Sequence, residues 1–323
     1  MADTLHPHSI SVLITTYRRP GFLRKSIDSL SRQTRRPDQI LIVARDGDTE
    51  TLAEIDSLYE RYSGLPIESV NVAVPGVIAA NNRGFPLLRG DIVAFQDDDS
   101  TASPTWLENL AKHYLDESVG GVGGKIINHS EGQVLYRNQT FGQQCQRIDR
   151  WGRIHAGQMY PFEGTWEVES LTGSNMSFRR RLLAACDQTL FGDGFRYELD
   201  LCLMVIAAGY RVLLDADAVN EHWCAPRKQG PERKERSVVE AHSRHNQDYV
   251  LAKHYRSTLF VLLRRLFVRF PKDVLARLGG AECYPLRYLR FSLTGMIRGL
   301  TYGRAERRRQ LHELRKPKAA NKA

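Results

Sequence analysis

This sequence predicts an α/β fold built on a mostly parallel sheet, and three observations carry that prediction. Short apolar runs alternate with stretches of helical periodicity from Ile10 to Ile127, which is the pattern of right-handed βαβ units. Several of the runs end in polar and charged clusters, as expected where strands open onto a ligand crevice. The chain has 323 residues, 42% hydrophobic and 26% charged. That is ample for a buried core in one large or two ordinary domains.

The first strand is expected over Ile10–Thr15, ending in Thr16-Tyr17-Arg18-Arg19-Pro20. Pro20 is placed to open a helix, and Phe22, Leu23, Ile27 and Leu30 follow at helical spacing. Gln39–Val43 is a second strand, ending in Arg45-Asp46-Gly47-Asp48, and a helix from Glu50 to Tyr62 follows. Pro66–Val72 is a third strand, then come Pro75-Gly76 and a helix over Val77–Leu88. The run from Ile92 to Phe95 ends at Gln96 and the three carboxylates Asp97-Asp98-Asp99. A helix over Thr105–Leu115 and a glycine-rich strand, Val119–Ile127, close the alternation.

Residues 128–169 break the pattern and are rich in aromatics, namely Tyr136, Phe141, Trp151, Tyr160, Phe162 and Trp166. That composition fits a carbohydrate-contacting insertion or a satellite core equally well. Leu171–Phe178 is strand-like, and Glu198–Gly209 reads as a helix with acids in its first turn. Arg211–Leu214 and Ala218–His222 read as two short strands.

Three adjacent acids at a strand end repel one another unless a cation compensates them. A plainer reading is a polar turn in which Asp99 or Ser100 caps the helix at Thr105. No Walker A loop or G-x-G-x-x-G follows the first strand, which argues against P-loop and dinucleotide-binding folds. An aromatic, an arginine and several acids on one sheet edge suit a nucleoside diphosphate held through a metal.

The five cysteines are odd in number and contain no C-x-x-C pair. Neither a zinc knuckle nor a disulfide framework is indicated, so a reducing, cytoplasmic setting is expected. The N-terminal residues lack the pattern of a signal peptide, and no apolar run reaches the roughly 18 residues of a membrane span. The net charge of +9 is uneven: from Arg256 onward 17 Lys/Arg face 4 Asp/Glu, while the first 255 residues carry a net −4. The basicity belongs to the tail, and no nucleic-acid partner is expected.

Taken in order, several motifs resemble a family 2 glycosyltransferase of the GT-A fold. They are Ser11-Val-Leu-Ile-Thr-Thr-Tyr-Arg-Arg-Pro20, Asp46-Gly47-Asp48, Pro75-Gly76 and Asn81-Asn82-Arg83-Gly84. Further on come Gly90 to Asp99, Gly173-Ser-Asn-Met-Ser-Phe-Arg-Arg180, Glu198-Leu-Asp-Leu201, Gly209-Tyr-Arg-Val212 and His222. The resemblance spans roughly residues 8–225. It implies a GT-A catalytic domain over 1–225, with a nucleotide-binding half at 8–127 and an acceptor-binding half at 128–225.

The implied activity is inverting transfer of a sugar from a nucleotide-sugar donor to a saccharide or glycolipid acceptor, as in polysaccharide or glycolipid assembly. The resemblance places Thr15, Tyr17, Arg18, Asp46, Asn82 and Asp97 on the nucleotide. It places Asp97, Asp99 and His222 on a metal, Glu198 as catalytic base, and Trp166 and Asn175 at the acceptor. The chemistry agrees: a departing nucleoside diphosphate needs its charge neutralised, which Mn²⁺ or Mg²⁺ held by carboxylates can do. The attacking hydroxyl needs a positioned base. Two departures stand out. Tyr197-Glu198 occupies the place of the family's Glu-Asp, and Ala80-Asn81-Asn82 that of its Ala-Arg-Asn.

Residues 226–323 are expected to form a lid loop, dense in charge from Arg227 to Arg236, followed by a basic, amphipathic helical region. Interleaved apolar residues and arginines suit an anionic membrane surface at residues 256–323, or packing back on the catalytic domain. The expected location is therefore cytoplasmic, with peripheral attachment to the inner membrane face. The rival readings are a nucleotidyltransferase and a non-catalytic, membrane-associated binding protein.

Overall fold

The computed structural model describes residues 7–130, 133–135, 140–192, 195–225, 235–254 and 258–315. In chain order, its first part holds β1 (Ile10–Thr16), α1 (Pro20–Ser31), β2 (Gln39–Arg45), α2 (Thr49–Arg61) and β3 (Ile67–Val72). There follow α3 (Val77–Gly84), β4 (Ile92–Phe95), β5 (Ser100–Ala102), α4 (Trp106–Ala111) and β6 (Val119–Ser130). The middle contributes β7 (Gln133–Val134), β8 (Thr165–Val168), β9 (Met176–Arg179), α5 (Tyr197–Ala207) and β10 (Arg211–His222). The C-terminal part is helical: α6 (Arg236–His254), α7 (Thr258–Arg264), α8 (Phe270–Leu278), α9 (Pro285–Arg298) and α10 (Arg304–Arg315).

One sheet runs in the order β3-β2-β1-β4-β9-β6-β10-β5. The pairs β3–β2, β2–β1, β1–β4 and β6–β10 are parallel, whereas β9 is antiparallel to both β4 and β6. The period-2 alternation of side chains sorts the strands' apolar residues into two cores. Val12, Ile14, Ile40, Ile42 and Ile92 pack with Leu23, Ile27, Leu58 and Trp106 of α1, α2 and α4. Leu13, Leu41, Val43, Val93 and Phe95 face the other way, into a cluster that includes residues of α3, α5 and α6. Each such buried side chain contributes about 1.5–3 kcal/mol.

Two local expectations are corrected. Residues 211–222 form one strand, not two, and the irregularity between Asp215 and Asn220 in its pairing with β6 interrupts the apolar pattern. Ser100 does not cap α4. It starts β5, which pairs antiparallel with β10, and the α4 cap residue Thr105 makes no side-chain cap bond. Gly124 in β6 is a packing requirement, because a Cβ there would sit 1.7 Å from the Ala218 carbonyl oxygen of β10.

The C-terminal helices pack on this frame through α6. Gly295 and Gly299 let α9 close on it, since added Cβ atoms would lie 2.3 Å from the His245 carbonyl oxygen and 2.4 Å from that of Tyr249. The chain continues helically from α7 into α8 through a π-helical turn at Arg265–Arg269, with Pro271 tolerated at the start of α8. Among the described residues, no helix is long and apolar enough to cross a membrane. The expected lid loop, Arg227–Arg236, lies outside the described residues except for Glu235 and Arg236, and Arg236 already opens α6.

Candidate active site

The β4 strand ends one step before the acids, and its neighbours decide where each carboxylate points. Gln96 donates its backbone N–H to Leu13 of β1 (3.2 Å), continuing the ladder to the edge of the sheet. Thr16 at the end of β1 then donates its hydroxyl to Asp98 (2.9 Å). Arg19 reaches both Asp98 (2.9 Å) and Asp99 (3.0 Å). Asp98 is thereby buried beneath Thr16 and Arg19, whereas Asp97 keeps an edge toward solvent.

His222 arrives from the far side of the sheet. In the β5–β10 pairing it lies opposite Ser100, and Trp223 donates its N–H to the Asp99 carbonyl (2.8 Å). The imidazole Nδ1 is 3.0 Å from the side-chain oxygen of Asn128 and 3.4 Å from the Cys224 Sγ. This leaves Nε2 directed at Asp99, 3.3 Å away. One ligand atom from each of Asp97, Asp99 and His222 lies within 4.8 Å of the others. Two carboxylates and an imidazole anchored through its second nitrogen form a donor set that fits Mn²⁺ or Mg²⁺.

The electrostatics show acids short of positive charge. Enclosure by protein, then the neighbouring Asp99, pushes Asp97 up to about 7. Burial pushes Asp98 up to about 6 despite Arg19. Burial opposes Asp99 as well, but the His222 hydrogen bond and the charges of His222 and Arg19 hold it below the ordinary carboxylate range. The same partnership raises His222, against its own burial.

Glu198 stands in the first turn of α5. Its Oε2 is buried and has no hydrogen-bond partner among the described residues. Burial raises its carboxyl above the ordinary range, with Arg196 as the partial counterweight. The charges of Glu198 and Asp97 both act on the enclosed Tyr197 phenol, which burial first of all pushes far up. The acid cluster and Glu198 therefore bear on one ring. Arg196 and Phe195, just before the helix, both have left-handed backbone (φ 78° and 57°), a conformation that costs a non-glycine residue of order 1–3 kcal/mol.

A family model described as "Glycosyl transferase family 2" matches residues 11–186, more than half of the chain. The chain belongs to that family. It is 27% identical over 176 residues to the glucosyl-dolichyl phosphate glucuronosyltransferase of Haloferax volcanii, covering 53% of this chain and 52% of that protein. It is 36% identical over 104 residues to the uncharacterized glycosyltransferase YwdF of Bacillus subtilis, covering 32% of this chain and 37% of that one. The chain thus spans between about a third and a half of the length of these curated relatives.

Among solved structures it resembles the mannosyltransferase PcManGT of Pyrobaculum calidifontis in complex with GDP-Man and Mn²⁺ (TM-score 0.59, 16% identity, 95% of this chain and 86% of that one). It also resembles TarS 1–349 of S. aureus in complex with UDP-GlcNAc (TM-score 0.52, 14% identity, 93% and 92%). These likenesses show the GT-A fold.

Within this glycosyl transferase family 2 chain, the remaining expected residues divide. Thr15, Tyr17 and Arg18 stand together where β1 ends, with Tyr17 exposed and the Arg18 guanidinium 5.0 Å from the centre of its ring. Asp46, where β2 ends, is exposed. Its neighbour Asp48 caps α2 by accepting from the Thr51 N–H (3.3 Å) and also accepts from the Arg18 N–H, so it draws the two strand exits together. Asn82 spends its amide on Cys186, donating to the carbonyl (2.9 Å) and accepting from the N–H (2.7 Å).

Two expected acceptor residues stand in packing roles. Trp166 belongs to an aromatic cluster with Phe141 (5.2 Å), and its indole N–H donates to the Glu163 carbonyl. Asn175 is fully buried. It donates to the carbonyls of Lys125 (3.0 Å) and Ala218 (2.9 Å) and accepts from Trp106 (2.9 Å), so an acceptor has no route to its amide while this packing holds.

Sequence reasoning quoted Thr16, Arg19 and Asp48 within its motifs but gave them no role at the site, and it did not single out α6. The signals for the first three were position alone, beside a helix-opening proline and at a helix cap. From α6, Asn246 donates to the Phe191 and Phe195 carbonyls (both 2.8 Å) and accepts from the Phe191 N–H (2.9 Å). Lys253 lies between Asp187 (3.0 Å) and Asp200 (2.9 Å), and His254 bonds Asp200 (2.6 Å). One face of α6 thus holds the left-handed entry to α5 and the turn that carries Glu198.

Proposed function

We propose that this chain is a metal-dependent, inverting glycosyltransferase that moves a sugar from a nucleotide-sugar donor to an acceptor hydroxyl. The observation that carries the reading is the convergence of Asp97, Asp99 and His222 where β4 and β10 end, with Glu198, one of whose buried oxygens has no hydrogen-bond partner among the described residues, bearing on the same ring as Asp97. Family membership and the GT-A fold support it. Asp97, Asp99 and His222 would hold Mn²⁺ or Mg²⁺, which when bound neutralises charge on the departing diphosphate.

The chain's own groups supply the rest. Tyr17 offers an exposed aromatic face to a base, while Thr15, Arg18 and Asp46 line the same sheet edge as polar and charged partners. Asn82 can offer its one remaining lone pair. Thr16 and Arg19 fix Asp98, while Arg19 and the Ala225 N–H both bond Asp99 and set its direction. Glu198 takes the proton from the attacking hydroxyl. Its raised carboxyl makes it a stronger base than an ordinary glutamate once ionised, and the pKa lies nearer neutrality, where general bases work best. Inversion follows if the hydroxyl attacks opposite the leaving diphosphate in one displacement. The acceptor is proposed to be a saccharide or glycolipid, with the half-buried Trp166 as an aromatic face suited to a sugar ring.

The test is a thermal-shift series with UDP-, GDP- and dTDP-sugars, with and without Mn²⁺. A ligand that binds only the native state raises its stability, by about 2.7 kcal/mol at a hundred times its Kd. At least one nucleotide-sugar is expected to raise the Tm only when Mn²⁺ is present, and Asp99→Ala is expected to abolish that shift. A set of flat responses in the wild-type chain would refute the metal-dependent donor site.

A further inference from the structure

Apolar side chains are distributed very unevenly over the surface. Among the described residues, eleven large apolar or aromatic side chains are exposed between Leu259 and Tyr302, against eight in all that precedes them. Four of the five most exposed lie in or beside α8: Phe267 is 73% exposed, Leu275 67%, Leu278 79% and Leu286 75%, the fifth being Tyr302 at 73%. No side chain of α8 is buried, although the helix is tied to α6 by an ion pair between Asp273 and Arg244. Phe267, Leu275 and Leu278 recur at spacings that place them on one helical face. Leu286 follows in the first turn of α9, which packs on α8.

The rim of this patch is cationic. Lys272, Arg277, Arg287 and Arg290 are all exposed. The guanidinium groups of Arg277 and Arg287 stand 5.7 and 5.5 Å from the centre of the Tyr284 ring, at the turn between α8 and α9. Between Thr258 and Arg315 there are 13 Lys/Arg and 4 Asp/Glu. An apolar face rimmed by arginines and an aromatic is the composition of a helix that lies in a bilayer interface, apolar face among the acyl chains and cations at the headgroups. Among the described residues no helix is long and apolar enough to span a membrane, but this face can rest on one. A second copy of the chain would bring the same cations together, and charge alone disfavours that occupant.

We infer that the α8–α9 face docks on an anionic lipid bilayer, with Phe267, Leu275, Leu278 and Leu286 entering the interface. This deepens the glycosyltransferase reading and rests on it only for its purpose, which is to hold the site at a surface that carries a lipid-linked acceptor. The docking itself requires no donor.

The experiment is co-sedimentation of the full chain with vesicles of phosphatidylcholine alone or with phosphatidylglycerol added, beside the triple variant Phe267→Glu, Leu275→Glu, Leu278→Glu. The wild type is expected to sediment with the anionic vesicles and to stay largely in solution with the neutral ones. The variant is expected to lose binding by tenfold or more. It should keep its Tm and its Mn²⁺-dependent nucleotide-sugar shift, because none of the three side chains is buried. Equal sedimentation of variant and wild type, or none by the wild type, would overturn the inference. So would a dimer in the wild type that the variant turns into a monomer, which would assign the face to a second copy. Loss of the nucleotide shift with vesicle binding intact would instead count against the catalytic reading alone.

Discussion

The strand exits of the sheet and the C-terminal helices both concentrate charge, and they use it in opposite ways. At the exits of β1, β4 and β10, carboxylates outnumber the cations that face them, and burial pushes Asp97 and Asp98 upward. In the C-terminal region the cations outnumber the acids, but they form two populations. Lys253 and Arg265 are buried, and each is bonded to a buried carboxylate, while Arg244, nearly as enclosed, bonds Asp273. Lys272, Arg277 and Arg290 stand in solvent around an apolar face. Net charge alone cannot separate cations that hold a fold from cations that face a partner. Burial does.

The largest expected effect comes from the acidic region. Glu198→Gln keeps the shape of the side chain and removes the proposed base, so transfer should fall by roughly 10²–10⁴, with the nucleotide-sugar thermal shift retained. The wild-type pH profile of kcat sharpens the assignment. A carboxyl raised by burial stays neutral to higher pH, so the acidic limb should lie above the ordinary glutamate value of about 4.3 and disappear in the variant. An unchanged limb in Glu198→Gln would move the base elsewhere.

Lys253→Met tests the buried cations. It leaves Asp187 and Asp200 in the interior without their shared partner, and loss of one member of a buried ion network costs about 3–5 kcal/mol. Urea unfolding should report that loss. Asn246→Ala is gentler, removing the bonds to the Phe191 and Phe195 carbonyls and the Phe191 N–H, at a cost of about 1–3 kcal/mol. Because those bonds hold the left-handed entry to α5, kcat should fall while donor binding is kept. A change confined to donor binding would contradict the positioning role.

How much of this was legible in the sequence follows the same division. The strands β1, β2 and β4 and the acids beyond them were readable because alternation and strand ends are local patterns, and each residue's chemistry faces the site it serves. Helix α6 was not, because the face it buries includes His242, Arg244, His245, Asn246, Asp248 and Lys253. These charged and polar side chains share the buried side with Ala241, Tyr249, Val250 and Leu251, so no clean apolar stripe marks the helix. Arg19 was passed over for a similar reason: its worth lies in reaching across to Asp98 and Asp99, far away in sequence. Asn175 misled in the other direction, since a family-like string suggested a ligand contact where the folded chain uses the amide to tie β6 to β10.

The smallest expected effect is also the most direct control on the two populations of cations. Lys272→Met repeats the chemistry of Lys253→Met at an exposed position with no ion pair among the described residues. Surface changes of this kind stay within about 0.5 kcal/mol, so the Tm and urea midpoint should hardly move. On anionic vesicles, however, one interfacial lysine contributes on the order of 1 kcal/mol, so partitioning should weaken about fivefold, and the difference should shrink as salt screens the surface. If Lys272→Met destabilised the fold as Lys253→Met does, the α8–α9 face would be a packed surface whose covering element lies elsewhere in the chain. If it left both stability and vesicle binding untouched, the apolar side chains would have to carry the docking without Lys272.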